Sequence, residues 1–323
     1  MFKFTSLFMC VGALGSAFAQ TSATLDAAGY SAPAPLQVAP GQVVTLFFHG
    51  LGPLPNGQLR SSQTTAVPLP VTLGGLSPRI AQSQSQDVAV PVFAVRQENE
   101  CDTGEAANPA CLLTSVKIEI PFELQAASDA AAPLAQLILD VDGQPSRSFP
   151  LQPVPDNAHL VTSCDLSWDT KSTSTCNRSV YHADGTLVTA DNPAMRGETV
   201  VVYAFGLGKA ATSIWTGDVS PAGAALAGSP ESHVKAIFGN TANALSYVPR
   251  STFYMDPNAA ASPVAAVGLT RGQIGLYQIN VPIPQSLDLP AACGAFGGAI
   301  HTNATLSITT SQGTEGLALC VRP

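Results

Sequence analysis

Residues 41–52, GQVVTLFFHGLG, align without a gap on residues 197–208, GETVVVYAFGLG, 156 positions later. Each is a short apolar run rich in β-branched and aromatic residues, entered through glycine and left through Gly-Leu-Gly. That pattern reads as a buried strand between two turns. Two further blocks recur in the same order. VKIEIP (116–121) matches YQINVP (277–282), and AQLILDVDGQPSRSFPLQPV (135–154) matches ATLSITTSQGTEGLALCV (304–321), with Gly143 on Gly313. The offset grows from 156 to 161 to 170. Duplication followed by loop insertion gives such a drift, whereas chance similarity of apolar strands explains one block but hardly three in order.

Strand logic runs through each block. Val116, Ile118 and Ile120 alternate with Lys117 and Glu119, which predicts one apolar face and one face in water. Tyr277, Ile279 and Val281 repeat this against Gln278 and Asn280. Val43 to Phe48 is apolar on both faces, as a central strand would be. Pro121 and Pro282 withhold a ladder donor and end their strands. Asp142-Gly143 and Gln312-Gly313 are hairpin-turn candidates, since glycine tolerates a positive φ. Long amphipathic helices are absent, and only FELQAASDAAAPLAQ (122–136) allows a short helical turn. The expected fold is all-β: two tandem immunoglobulin-like β-sandwich domains related by internal duplication. The first spans residues 20–155 and the second 192–323, joined by a polar, Ser/Thr-rich segment, 156–191, stapled by a cysteine pair.

The N-terminal segment and the cysteine count predict an exported chain, periplasmic, cell-surface or secreted. Lys3, an apolar stretch from Phe4 to Leu14 and the small-x-small Ala17-Phe18-Ala19 read as an export signal over residues 1–19. The apolar part is too short to span a bilayer, which takes about 20 residues. Met9 and Phe8 before Cys10 argue against lipidation there. Six cysteines follow the signal, and an even count in an exported chain reads as disulfides. Fifteen pairings are possible; the simplest is local, Cys101–Cys111, Cys164–Cys176 and Cys293–Cys320. The absence of C-x-x-C and of neighbouring ligand-spaced histidines disfavours zinc. A net charge of −8 with only 14 Lys and Arg argues against nucleic acid and anionic membrane surfaces as partners.

The stretch ADGTLVTADNPAMRGETVVVYAFGLG (183–208), with GQIGLYQINVPIP (272–284), resembles the uncharacterised Solibacter-type domain common at the C-termini of exported acidobacterial proteins. APGQVVTLFFHGLG (39–52), PLPVTLGG (68–75) and IEIPFEL (118–124) are similar to its upstream part. The resemblance implies tandem immunoglobulin-like sandwiches close to the TIG/IPT type, and it implies no activity.

Strand followed by His-Gly, as at His49-Gly50, begins the oxyanion-hole loop of many α/β-hydrolases, but that chemistry also needs a G-x-S-x-G elbow. None occurs: Ser31 and Ser77 have glycine two residues before but Pro33 and Arg79 two after. The repeat places Phe205 opposite His49, so His49 reads as a ring packed at a strand end. His159, His182, His233 and His301 show no metal-ligand spacing and read as surface or linker residues. RQENECDTGE (96–105) gathers Glu98, Glu100, Asp102 and Glu105, a weak calcium candidate set whose other reading is a solvated loop closed by Cys101–Cys111. Asp140 and Asp142 make half a calcium motif and read as hairpin residues. Trp168 and Trp215 stand in polar, loop-like contexts, either as sandwich-end covers or as platforms for a sugar ring. The sequence thus points to a non-catalytic, cofactor-free exported module for cell-surface association, adhesion or assembly with an unidentified protein or polysaccharide. A carbohydrate-binding module is the alternative, and a divergent hydrolase the remote one.

Overall fold

The computed structural model describes residues 23–28, 35–82, 87–101, 108–126, 134–163, 165, 177–221, 224–226, 234–244 and 260–322. The export-signal segment, Asp102, Glu105, Cys164, Trp168, Cys176 and His233 lie outside them. Strand accounts for 46% of the chain and helix for 3%, so the fold is all-β.

The first half carries β1 (Thr24–Ala28), β2 (Leu36–Val38), β3 (Val43–His49), β4 (Ser61–Gln63) and β5 (Leu76–Gln82). It continues with β6 (Val88–Ala89), β7 (Val92–Asn99), β8 (Leu112–Glu119), β9 (Ala135–Val141) and β10 (Gln144–Pro153). One sheet has the order β1-β3-β8-β7-β4 and the other β2-β10-β9-β5-β6. β3 is an interior strand, antiparallel to β1 and β8. Its Val44, Leu46 and Phe48 are buried in a core shared with Val116 and Ile118 of β8 and with Leu137, Leu139, Phe149 and Leu151 of the facing sheet. The Phe48 and Phe149 rings meet across the sandwich with centroids 5.3 Å apart.

The second half carries β11 (His159–Leu160), β12 (Val180–Tyr181), β13 (Ala194–Met195), β14 (Thr199–Phe205), β15 (Lys235–Gly239) and β16 (Ala260–Ser262). Then come β17 (Ala266–Leu269), β18 (Leu276–Pro282), β19 (Ala304–Thr310), β20 (Gly313–Leu319) and β21 (Val321–Arg322). β11-β14-β18-β17 form one sheet, with β12 also on β14, and β16-β15-β19-β20 form the other. Val200, Val202, Tyr277 and Ile279 pack against Phe238, Leu306, Ile308 and Leu317 in a second core.

Four strand pairings recur in the two halves. β3–β8 corresponds to β14–β18, β7–β8 to β17–β18, β5–β9 to β15–β19 and β9–β10 to β19–β20, all antiparallel. A parallel contact recurs too, β2 with β10 and β13 with β21. The turns entering β3 and β14 are built alike. Gly41 (φ +72°) donates to Ile120 O and Gly197 (φ +80°) to Ile283 O, each at 2.9 Å. The next side chain caps the turn: Gln42 Oε1 accepts from Ala39 N at 2.9 Å, and Glu198 Oε2 from Met195 N at 2.8 Å. A Cβ at Gly41 would collide with the Phe122 ring, and one at Gly197 with the Gln285 amide. Left-handed backbone and lack of room both require glycine there.

The Gly-Leu-Gly exits are held from inside by different donors. Gly52 O accepts from Arg60 Nε at 2.9 Å and Gln97 Nε2 at 3.3 Å. Gly208 O accepts from the buried Tyr277 hydroxyl. Tyr277→Phe should therefore cost about 1–2 kcal/mol, because it orphans a buried carbonyl. Urea denaturation measures this, and a loss below a few tenths would show that the bond does not hold the turn.

Residues 156–191 are bound into the second half at several points. β11 and β12 both pair with β14, and Asp156 Oδ2 accepts from Ser311 N at 3.2 Å in the β19–β20 turn. His159, wholly buried, bonds Asp165 at 2.8 Å, with Glu315 at 3.9 Å on its other nitrogen, and Arg178 pairs with Glu315 at 2.8 Å. Burial opposes the charged imidazole, yet the Asp165 and Glu315 carboxylates hold His159 above its ordinary range. The expectation of a surface or linker histidine is thus corrected: two acids make the burial tolerable.

Cys101 bonds Cys111 and Cys293 bonds Cys320, with Cα atoms 5.3 and 6.1 Å apart. One correction concerns β8. Val116 and Ile118 face the core, but the opposite face is not in water: Glu119 is wholly buried and Lys117 half-buried. Residues of the second half cover them.

Candidate ligand site at the junction of the two halves

Four hydrogen bonds build the junction around β8. Glu119 ends the strand, and its Oε2 accepts from Gly217 N at 2.6 Å. Gly217 O accepts from Leu69 N at 2.9 Å. Thr216 Oγ1 accepts from Phe122 N at 2.9 Å and donates to Glu123 Oε2. The 215–218 turn is also closed within itself, Asp218 N donating to Trp215 O at 3.0 Å. Phe122 itself is buried in the core of the second half. Beside this turn Lys117 Nζ donates to Asp165 O at 3.2 Å and lies 5.9 Å from the Phe205 ring centroid.

Electrostatics at this point are unusual. Among the described residues, Glu119 Oε1 is buried without a hydrogen-bond partner. Burial pushes the Glu119 carboxyl up to about 8; the Gly217 amide opposes this, and the Glu123 and Asp218 carboxylates add to it. Burial pulls the Lys117 ammonium below its ordinary range.

Two adjoining grooves open next to the turn. One, about 440 Å³, runs from Phe122 and Glu123 past Lys209, Thr212 and Ser213 to Trp215. The other, about 420 Å³, shares Glu123 and Lys209 and continues to Gln125 and Asp156. Both volumes fall within the roughly 300–1,000 Å³ of small-molecule sites. Trp215 is 78% exposed although its turn is pinned. Its loop-like context is legible in the sequence, whereas the groove beside it comes from residues of both halves, more than 80 positions apart.

The other candidate residues lie elsewhere. Glu98 pairs with Arg96 at 2.7 Å. Glu100 meets His49 Nε2 at 3.1 Å, and Asp26 takes Nδ1. Glu98 and Glu100 are therefore engaged by Arg96 and His49, and the other two acidic candidates lie outside the described residues. His49 is a half-exposed member of an acid–imidazole–acid cluster, not a packed ring; Phe205, its counterpart, is the buried one. The Asp26 hydrogen bond raises the His49 pKa, burial opposes it, and Glu100 adds to it. With a carboxylate on each ring nitrogen, His49 is not placed to take a proton from a hydroxyl nucleophile. Asp142 sits at the β9–β10 hairpin (φ +50°) and pairs with Arg60 at 2.6 Å. Among the described residues, no three or more His, Cys, Asp or Glu are arranged to hold a metal ion, and no helix is long and apolar enough to cross a membrane.

No family model and no curated protein matches the chain. Among solved structures it is similar to the Escherichia coli adhesin FdeC, at 10% identity over 94% of this chain and 65% of that one, with a TM-score of 0.21. It is also similar to domains 4–9 of the surface-layer protein SbsC, at 9% identity over 93% and 31% with a TM-score of 0.23. The C-terminal domain of the Streptococcus agalactiae AgI/II polypeptide BspA matches at 8% identity over 91% and 96%, with a TM-score of 0.21. The chain spans less than two thirds of the first two.

Proposed function

We propose that the protein is an exported, non-catalytic module that associates with a cell surface or an extracellular assembly. The junction carries this reading: the two halves are joined by specific hydrogen bonds, and an aromatic ring is presented on the pinned turn. Pre-organised surfaces of that kind bind with a smaller ordering cost. The disulfides at Cys101–Cys111 and Cys293–Cys320 suit an oxidising compartment. Descent of the two halves by duplication, and membership of the Solibacter-type family through GLYQINVPIP (275–284), belong to the same reading. Carbohydrate binding is the second reading, favoured by Trp215.

Labelled full-length protein incubated with bacterial cell envelopes tests the proposal. Saturable retention after washing is expected, and retention no greater than that of an unrelated β-sandwich would overturn it. Generic ester hydrolysis that disappears in His49→Phe would overturn the non-catalytic part.

A further inference from the structure

We infer that the groove between the two halves binds an uncharged saccharide chain, with Trp215 as its stacking platform. This inference rests on the surface-association reading and names the ligand class for it.

The argument starts from a mismatch. The Trp215 turn is one of the most tightly held features of the junction, with Thr216 and Gly217 bonded to Phe122, Glu123, Glu119 and Leu69. A tryptophan that serves packing would be buried by such anchoring, yet this indole is 78% exposed. A large apolar ring left in water on a held turn forgoes the gain that burial would give. That gain becomes available when a flat, CH-rich face covers the ring. The indole face is electron-rich, so the polarised C–H groups of a pyranose suit it.

Polar groups in the adjoining groove fit the rest of a sugar. Glu123 supplies a carboxylate acceptor, Lys209 an ammonium donor, and Thr212 and Ser213 hydroxyls, while the Asp156 carboxylate, whose oxygens accept from Ser311 and Gln312, contributes only charge. Hydroxyl-rich ligands need such donors and acceptors side by side. The carboxylates, together with the chain's net charge of −8, repel acidic polymers, which selects an uncharged glycan. The two grooves meet at Glu123 and Lys209, so the site suits more than one sugar ring. Glu119 enters as a positioning residue: its buried carboxyl holds the Gly217 amide, and with it the turn that carries the platform.

The test titrates the full chain with short uncharged oligosaccharides of gluco, manno and galacto configuration, read by tryptophan emission and calorimetry. At least one should blue-shift the emission saturably. Affinity should fall about tenfold or more in Trp215→Ala and several-fold in Lys209→Met. Unchanged melting of Trp215→Ala, expected for so exposed a side chain, ties its loss to the ring. No binding across the panel, binding retained in Trp215→Ala, or binding of acidic oligosaccharides alone would each overturn the inference. Retention on envelopes together with a blank titration leaves the association reading standing and removes only the saccharide site.

Discussion

Replacing Arg60 with methionine is expected to destabilise the first half by about 3–5 kcal/mol. Arg60 lies in the connection between β3 and β4 and is wholly buried. Its guanidinium is almost fully used: Nε donates to Gly52 O at 2.9 Å, Nη1 to Gly74 O at 2.8 Å and Nη2 to Pro53 O at 3.1 Å. The two terminal nitrogens also clasp Asp142 in a forked pair at 3.1 and 2.6 Å. One side chain thus ties the exit of β3, the turn before β5 and the tip of the β9–β10 hairpin. Methionine keeps much of the stem but leaves the Pro53 and Gly74 carbonyls and the Asp142 carboxylate without this donor, and Gly52 O with only Gln97 Nε2; orphaned polar groups are what make such losses large. Arg79 is the internal control. It is a third exposed and pairs with Asp87 and Asp140, so Arg79→Met should cost less than about 1 kcal/mol. Asp142→Asn should fall between, losing the charge but keeping a residue that tolerates the left-handed hairpin position. Urea denaturation ranks the three; an Arg60→Met loss no larger than that of Arg79→Met would show that the clasp is not what holds these loops.

Arg60 also marks where reading the chain stops short. The repeated blocks, the alternation in VKIEIP and the glycines at 41 and 197 are legible because periodicity and backbone freedom are local properties. The β3–β8 and β14–β18 pairings follow from those blocks, and so does the hairpin at Asp142-Gly143. The second hairpin turns at Ser311-Gln312, one position before the expected Gln312-Gly313, with Gly313 the first residue of β20 and extended. A lone arginine between Leu59 and Ser61 carries no such signal, since its burial is decided by carbonyls contributed from residues 52, 53 and 74. Lys117 and Glu119 fail differently. Their alternation correctly assigns them to the outer face of β8, but period two cannot say whether water or another part of the chain lies there. His159 repeats the lesson, because the acids that make it tolerable in the interior stand 6 and 156 residues away. At the candidate site, Trp215 is visible from composition, whereas its partners Glu123 and Lys209 look like ordinary surface charges until the halves meet.

Glu119→Gln should flatten the pH dependence of stability between about pH 5 and pH 8. Burial raises the folded-state pKa of this carboxyl from 4.5 to about 8. Between those values the folded protein keeps a proton that the unfolded chain releases. A group with a raised pKa stabilises most at low pH, and that contribution falls as pH climbs toward the folded value. The slope is about 1.4 kcal/mol per pH unit, so on the order of 3 kcal/mol is at stake between pH 5 and pH 7.5. Glutamine keeps an oxygen to accept the Gly217 amide hydrogen and cannot ionise. The variant should therefore lose this slope and melt above the parent at pH 8, by several degrees. His49 and His182 also have raised pKa values, His49 chiefly through its Asp26 hydrogen bond and His182 through Glu198 against the pull of burial. Their contribution falls in the same direction with rising pH, but it is common to both proteins, so the difference curve isolates Glu119. Amide exchange at Gly217 adds a local readout: it should accelerate in the parent as pH rises toward 8, beyond the intrinsic base-catalysed trend, and not in the variant. Parallel stability curves for parent and variant would mean that Glu119 does not hold a proton at the junction.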